Sequence, residues 1–213
     1  MPAISQTLGS EPHEIIIVDD NSPDRTWEVA TQYPGVRVLR RVGRRGLSSA
    51  VVEGFSMAKG DVLVVMDADG QHDTGVIAKL AAAVRGTHGV AIWTRYMKGG
   101  GVGEWEKGRA SLSWLATKLA QIACRVRAHD PMSGFFALDA ALFRRIATRL
   151  HPSGFKILLE ILAFVPKGTP ITEIPFTFGR RIAGESKLTW KVGIQFLLQL
   201  GTLMMRRHRR VRS

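Results

Sequence analysis

The stretch Val62–Asp73, VLVVMDADGQHD, sets five apolar residues in a row and then three carboxylates within seven positions. Such a run reads as a buried strand ending at a polar rim. Only Ala68 separates Asp67 from Asp69, so in a chain leaving a strand both side chains can turn toward one point. Carboxylate oxygens suit a hard divalent cation, Mg²⁺ or Mn²⁺, which keeps several waters and binds phosphates as well. No His/Cys cluster has the spacing of a zinc site, and His72 alone reads as a polar turn residue. A second run, IIIVDD, ends in Asp19 and Asp20. One acid pair after a strand is equally a turn or a helix cap. Two such pairs on successive core strands of a basic protein point to a site. Arg95, Arg109, Arg180, Arg181 and Lys187 all fall in expected loops or helix starts. Guanidinium groups bind phosphate through paired hydrogen bonds, so a cation with several arginines suits more than one phosphate group. There is no Walker lysine motif and no GxGxxG after a strand, which argues against ATP hydrolysis and dinucleotide redox.

The elements that must position these residues alternate between apolar strand-like runs and helical patterns, as in an α/β sheet. Strands are expected at Ile15–Val18, Val36–Leu39, Val62–Met66, Val90–Trp93, Phe135–Leu138 and Ile171–Phe176. Helices are expected at Asp24–Gln32, Leu47–Ala58, Val76–Arg85, Ala110–Val126, Ala140–Leu150, Phe155–Phe164 and Thr189–Arg207. Lys98–Glu106 and Phe178–Ser186 read as loops. In open α/β sheets, ligands bind beyond the carboxyl ends of the strands, which is where both acid pairs stand.

Composition sets bounds on this picture. A chain of 213 residues with 45% hydrophobic and 23% charged content can bury one sizeable core. The single cysteine, Cys124, excludes an intrachain disulfide and, in an apolar helical pattern, reads as a small core residue. The net charge of +12 draws anions: nucleic acid, anionic lipid headgroups or phosphorylated substrates. Arginines cluster in Arg37–Arg45 and again in Arg206–Arg212. No basic stretch is interleaved with aromatics, so no specific nucleic-acid partner is expected. The start of the chain lacks the apolar core of a signal peptide, and no segment reaches the length of a bilayer span. The expectation is a cytoplasmic protein, peripheral at the cytoplasmic membrane face.

Taken together, the motifs resemble family 2 glycosyltransferases of the GT-A fold, and among them the dolichol-phosphate (polyprenol-phosphate) mannose synthases. The matching stretches are IIIVDDNSPDRT, GLSSAVVEGF, VLVVMDADGQHD, TRYMKGG with WEKGRASLS, DPMSGFFAL, GFKILLEIL and IPFTFGRRIAGESKL. They cover Glu14 to Leu188 in the family's order. The resemblance implies a Rossmann-like mixed sheet flanked by helices over 1–188, with 189–213 forming an amphipathic helix and basic tail at a membrane surface. It implies an inverting transfer of mannose from GDP-mannose to a polyprenyl or dolichyl phosphate, with Mg²⁺ or Mn²⁺. UDP-glucose is the alternative donor, and a truncated, non-catalytic binding module the alternative function.

Residue by residue, the resemblance makes Asp67 and Asp69 the acid pair that holds the cation and the donor diphosphate, with Gln71 as a further metal ligand. Asp19 and Asp20 would sit by the nucleoside. Arg95, Arg109 and Ser113 would bind the lipid phosphate. Arg181, Ser186 and Lys187 would close over the donor phosphates, and Asp130 and Ser133 would shape the sugar end. The family's opening strand, Pro-Thr-Tyr-Asn-Glu turn and helix have no counterpart before Ile15. The sheet is therefore expected to lack its first strand–helix unit. That would leave backbone unpaired unless another segment or chain fills the gap.

Overall fold

The computed structural model describes residues 2–68, 72–97, 107–151, 156–175 and 190–211, the side chains of 107–113, 190–195 and 207–211 excepted. In chain order the elements are α1 (Pro2–Leu8), β1 (Ile15–Asp19), α2 (Thr26–Thr31), β2 (Val36–Arg40), α3 (Leu47–Met57), β3 (Val62–Val65) and α4 (Val76–Thr87). They continue as β4 (Val90–Thr94), α5 (Lys107–Cys124), β5 (Phe136–Asp139), α6 (Ala140–Ile146) with a 3₁₀ turn at Ala147–Arg149, α7 (Ile157–Phe164), β6 (Ile171–Pro175) and α8 (Trp190–Val211).

The strands form two sheets. β1 and β2 pair in parallel, Ile15 opposite Val36 through Asp19 opposite Arg40. The larger sheet has the order β3-β5-β4-β6, with β5 antiparallel to β3 and β4, and β6 parallel to β4. Central β4 is buried at every residue, as its uninterrupted Val-Ala-Ile-Trp-Thr run requires of a strand covered on both faces. One core lies between β3, β4 and β5 and helices α3, α5, α6, α7 and α8, around Phe136, Leu138, Phe143, Ile161 and Leu203. The opposite face is covered by α4, whose Val76, Ile77, Leu80, Ala81 and Val84 recur at helical spacing against Trp93, Phe135 and Ala137.

α3 bridges the two sheets. At Gly54 an added Cβ would stand 3.0 Å from Val18 of β1, so glycine permits the close approach. The adjacent Phe55 meets Phe136 of β5 and Phe143 of α6 edge-to-face. Cys124 is buried in the core, as expected.

Several boundaries differ from the sequence reading, each for a local reason. α1 was not anticipated. Its Ile4 and Leu8 lie one turn apart and pack toward the α4 cluster, and Pro2 suits a first helical position. α2 starts at Thr26 rather than Asp24, because Asp24 Oδ1 accepts from both the amide and the hydroxyl of Thr26, and Arg25 takes a left-handed conformation. α6 stops at Ile146 and tightens into the 3₁₀ turn. It opens on Asp139, whose Oδ1 accepts the Leu142 N–H at 2.9 Å. α8 runs on to Val211, since arginine is a good helix former. The expected loops at Lys98–Glu106 and Phe178–Ser186 lie outside the described residues.

Candidate active site

Strands β3 and β4 bring their carboxyl ends to one rim, and antiparallel β5 brings its preceding loop to the same place; β1 is tied alongside by Glu14, which accepts from Lys59 and Gly60 before β3, and by Val18 against Gly54 of α3. Asp19 and Asp20 stand at the end of β1, Asp67 two residues beyond β3, Arg95 directly after β4, and Asp130–Phe135 before β5. The sheet topology thus gathers acids and bases that are far apart in the chain.

Asp67 faces the DPMSG loop. An added Cβ at Gly134 would lie 2.6 Å from Asp67 Oδ2, so the missing side chain leaves the space the carboxylate occupies. His72 Nε2 is 3.7 Å from Asp67 Oδ2. Its ring packs on Phe135 (centroids 5.0 Å apart) and Trp93 (5.5 Å). The expectation of a polar turn residue is thereby corrected: His72 is an almost buried aromatic wall beside the acid. Its neighbours come from β4 and β5, so nothing in the local sequence disclosed this.

Arg95 and Asp130 form a bidentate pair, Nε to Oδ2 at 2.7 Å and Nη2 to Oδ1 at 2.9 Å, with Asp130 fully buried. Burial alone would lower the arginine's pKa. The hydrogen bonds and charge of Asp130 outweigh it and hold the pKa above its ordinary value. The guanidinium is therefore fixed in place as a permanent cation. Ser133 Oγ donates to the Trp93 carbonyl at 2.8 Å and accepts the Phe135 N–H at 3.2 Å. It ties the loop to β4 and so shapes the pocket through the backbone.

Lys156, immediately before α7, was not singled out from the sequence, although it stands in the GFKILLE stretch. Burial lowers its pKa, the charge of Arg95 lowers it further, and Asp130 and Asp67 oppose both. Lys156 thus stands near Arg95, Asp130 and Asp67 in a setting shielded from water.

The other acid pair is engaged differently. Asp19 is buried, and its Oδ1 accepts the Ser22 N–H at 2.7 Å. Asp20 receives the Arg41 Nε–H at 2.6 Å on one oxygen and the Gly46 N–H at 2.8 Å on the other. Arg41 is itself fully buried and also reaches Ser49, Glu53 and the Gly46 carbonyl. Asp20 therefore joins the end of β1 to the loop before α3. Arg109 and Ser113 lie on the first turns of α5, with side chains outside the described set. Asp69, Gln71, Arg181, Ser186 and Lys187 lie outside the described residues altogether. Among the described residues, no three His, Cys, Asp or Glu side chains gather around one point.

Comparison with known proteins gives this arrangement its context. The profile described as Glycosyl transferase family 2 matches residues 3–147. The chain is 46% identical over 207 residues to the dolichol-phosphate mannosyltransferase of Pyrococcus furiosus, covering 94% of this chain and 58% of that protein. It is 44% identical over 200 residues to the dolichol-phosphate mannosyltransferase of Saccharomyces cerevisiae, covering 89% and 74%. It is 33% identical over 185 residues to the undecaprenyl-phosphate mannosyltransferase of Micrococcus luteus, covering 83% and 76%. Among solved structures, glucosyl-3-phosphoglycerate synthase from Mycobacterium tuberculosis, in complex with Mn²⁺, UDP and glucosyl-3-phosphoglycerate, superposes with a TM-score of 0.61 at 20% identity. The match covers 97% of this chain and 73% of that one. The shared fold is GT-A, as the motifs implied.

Proposed function

The chain belongs to glycosyl transferase family 2, and we propose that it is a glycosyltransferase that moves mannose from GDP-mannose to a polyprenyl or dolichyl phosphate. The observation that supports this reading is that Asp67, Arg95 and Lys156, each next to a different element of the fold, stand close together beside the buried Asp130. The relatives' names supply the substrate class.

The proposed step forms a bond from an acceptor phosphate oxygen to the anomeric carbon and breaks the bond from that carbon to the donor diphosphate. Nucleoside diphosphate leaves, and the sugar carbon inverts. A phosphate monoester is largely dianionic at neutral pH, so it attacks without a general base, unlike a sugar hydroxyl. The protein's task is to bring two anions together and to accept the departing one. Arg95, aimed by Asp130, and Lys156 offset the repulsion. Arg109 and Ser113 are assigned to the acceptor phosphate, and Arg181, Ser186 and Lys187 to the donor phosphates. Asp19 and Asp20 are assigned to the nucleoside side. Asp20 serves there by holding its loop through Arg41.

The carboxylate of Asp67, standing in the space Gly134 leaves, is a hard oxygen donor suited to Mg²⁺ or Mn²⁺, with Asp69 and Gln71 as its partners. Such an ion, when bound, neutralises charge on the leaving diphosphate. The Mn²⁺ in the glucosyl-3-phosphoglycerate synthase complex supports a divalent metal in this fold.

The test is transfer of labelled mannose to a short polyprenyl phosphate, with Mg²⁺ or Mn²⁺ and with EDTA. Acid-labile labelled lipid that depends on the cation is expected. Labelled lipid from UDP-glucose alone would replace the donor. Binding of nucleotide without turnover from either donor would leave a binding module.

A membrane surface is part of the same proposal. α5 and α8 pack on each other through Ala120, Cys124, Phe196, Leu200 and Leu203. Their outer sides expose Trp114 (53%), Leu115, Leu119 and Ile122 (75%) on α5, and Leu197, Leu198 (66%), Met204 and Met205 on α8. Each set recurs at helical spacing, and α8 continues into the arginine-rich end. No described helix is long and apolar enough to cross a membrane. The chain is expected to sediment with vesicles containing anionic lipid, less so at high salt. Replacing Leu198 and Met205 together by glutamate should weaken that binding at least about tenfold, since each buried side chain of this size contributes roughly 1.5–3 kcal/mol. Unchanged binding would remove this face from the proposal.

A further inference from the structure

The Arg95–Asp130 pair joins a strand to a connection. Arg95 follows β4 directly, while Asp130 stands in the irregular segment between α5 and β5. A bidentate pair at 2.7 and 2.9 Å aims a guanidinium only if the backbone beneath the carboxylate is itself held. A single carboxylate on β6 does this. Glu173 accepts the His129 N–H on both oxygens, at 2.9 and 3.1 Å, and the Asp130 N–H at 3.3 Å. Its Oε2 also receives the His129 ring Nδ1–H at 2.7 Å. From the other side, Gln121 of α5 donates to the Ala128 carbonyl at 2.7 Å and to the His129 carbonyl at 3.4 Å. The segment that carries Asp130 is therefore gripped by its N–H groups and by its carbonyls.

Glu173 occupies an unfavourable place for an acid. It shares a face of β6 with Ile171, which packs against the main core, whereas Ile174 on the other face packs toward the α4 cluster. Its side chain is only 10% exposed. A carboxylate so placed costs stability unless it is paired, and an apolar residue would fill the position without that cost. The bonds it makes go to His129 and Asp130, the residues that lead into the site. Strand register adds a second reason. In the β4–β6 ladder Glu173 stands opposite Ile92, and Pro175 opposite Thr94, the residue before Arg95. Both members of the pair are thus indexed to one ladder: Arg95 through β4, and Asp130 through Glu173 on the neighbouring strand.

We infer that Glu173 is a positioning residue for Arg95. It acts through the backbone of His129 and Asp130, and Gln121 supplies the opposing grip. Glu173 sets where the Asp130 carboxylate stands, and that carboxylate sets the direction of the guanidinium. The kinetic consequence rests on the proposed transfer reaction, and the geometric one does not.

The test follows the Nε–H signals of Arg95 and Arg41 by ¹⁵N NMR in the whole chain, assigned with Arg95→Lys and Arg41→Lys. Arg41 Nε donates to Asp20 at 2.6 Å beside the other sheet and reports on the fold away from β6. Glu173→Ala should speed hydrogen exchange at Arg95 Nε at least about tenfold and leave Arg41 Nε unchanged. In Glu173→Gln the carbonyl still accepts from both backbone N–H groups and the amide donates to His129 Nδ1, so exchange should stay within about threefold of the native rate. Gln121→Ala should fall between the two. If Glu173→Ala does not fold, Glu173→Asp, which draws the carboxylate back by one methylene, carries the same expectation. In kinetics, Glu173→Ala should lower kcat/KM for mannose transfer about tenfold in the native chain. With Arg95→Ala already present it should cost less than about twofold, because nothing is left to position. Equal acceleration at both arginines would make Glu173 a general structural residue and overturn the inference. So would an unchanged Arg95 signal, or the same kinetic loss in both backgrounds. A chain without transferase activity would remove the proposed function and leave the NMR result to decide this inference alone.

Discussion

Replacing Gly134 by alanine is expected to lower kcat/KM for mannose transfer about a hundredfold while leaving the fold standing. The new Cβ would stand 2.6 Å from Asp67 Oδ2, a distance that real contacts do not show. Gly134 does not take a left-handed conformation, so its backbone accepts alanine and the carboxylate must turn aside. A displacement of about 1 Å in a positioning group is enough to cost about 10²-fold. Asp67→Asn sets the scale, with an expected loss of about 10²–10³-fold. The comparison to make is transfer kinetics beside urea unfolding. Gly134→Ala should move kcat/KM far more than it moves stability, which should change by less than about 1 kcal/mol. A variant with normal kinetics would separate Asp67 from the chemistry. A variant that unfolds would show Gly134 to be structural.

The largest expected effect on stability is at Arg41. Arg41→Ala should destabilise the chain by about 3–5 kcal/mol, read as a fall in urea midpoint at constant slope. The guanidinium has no exposed surface and bonds Asp20, Glu53, Ser49 and the Gly46 carbonyl at once. Removing it leaves the Asp20 carboxylate facing a void without its charged partner, and Glu53 with only the exposed Arg44. Arg41→Lys should recover only part of the loss, because an ammonium cannot reach this fork of acceptors. A loss under about 1 kcal/mol would show that water replaces the guanidinium with ease.

These two positions show what the sequence could disclose. The acid-ended strands were readable from Asp19 and Asp67, because strand ends are local properties. The family was readable because its motifs are long and ordered. Arg41 was readable only as one arginine in a basic run. Its burial depends on Asp20 and Glu53, 21 residues before it and 12 after. Lys156 and His72 were missed for the same reason, since their neighbours lie on other strands. That the described strands fall into two sheets depends on which strands pair, which no local run of residues encodes.

The divided sheet also governs how this chain behaves in a concentrated solution. Ile15–Val18 is short, β-branched and free of charge and proline, which is the composition that templates intermolecular strand pairing. The net charge of +12 opposes such encounters by holding copies apart. Colloidal behaviour is thus a contest between an adhesive edge and a repulsive surface, and ionic strength decides it: dilute buffer favours dispersed molecules, and screening salt brings the edges within reach.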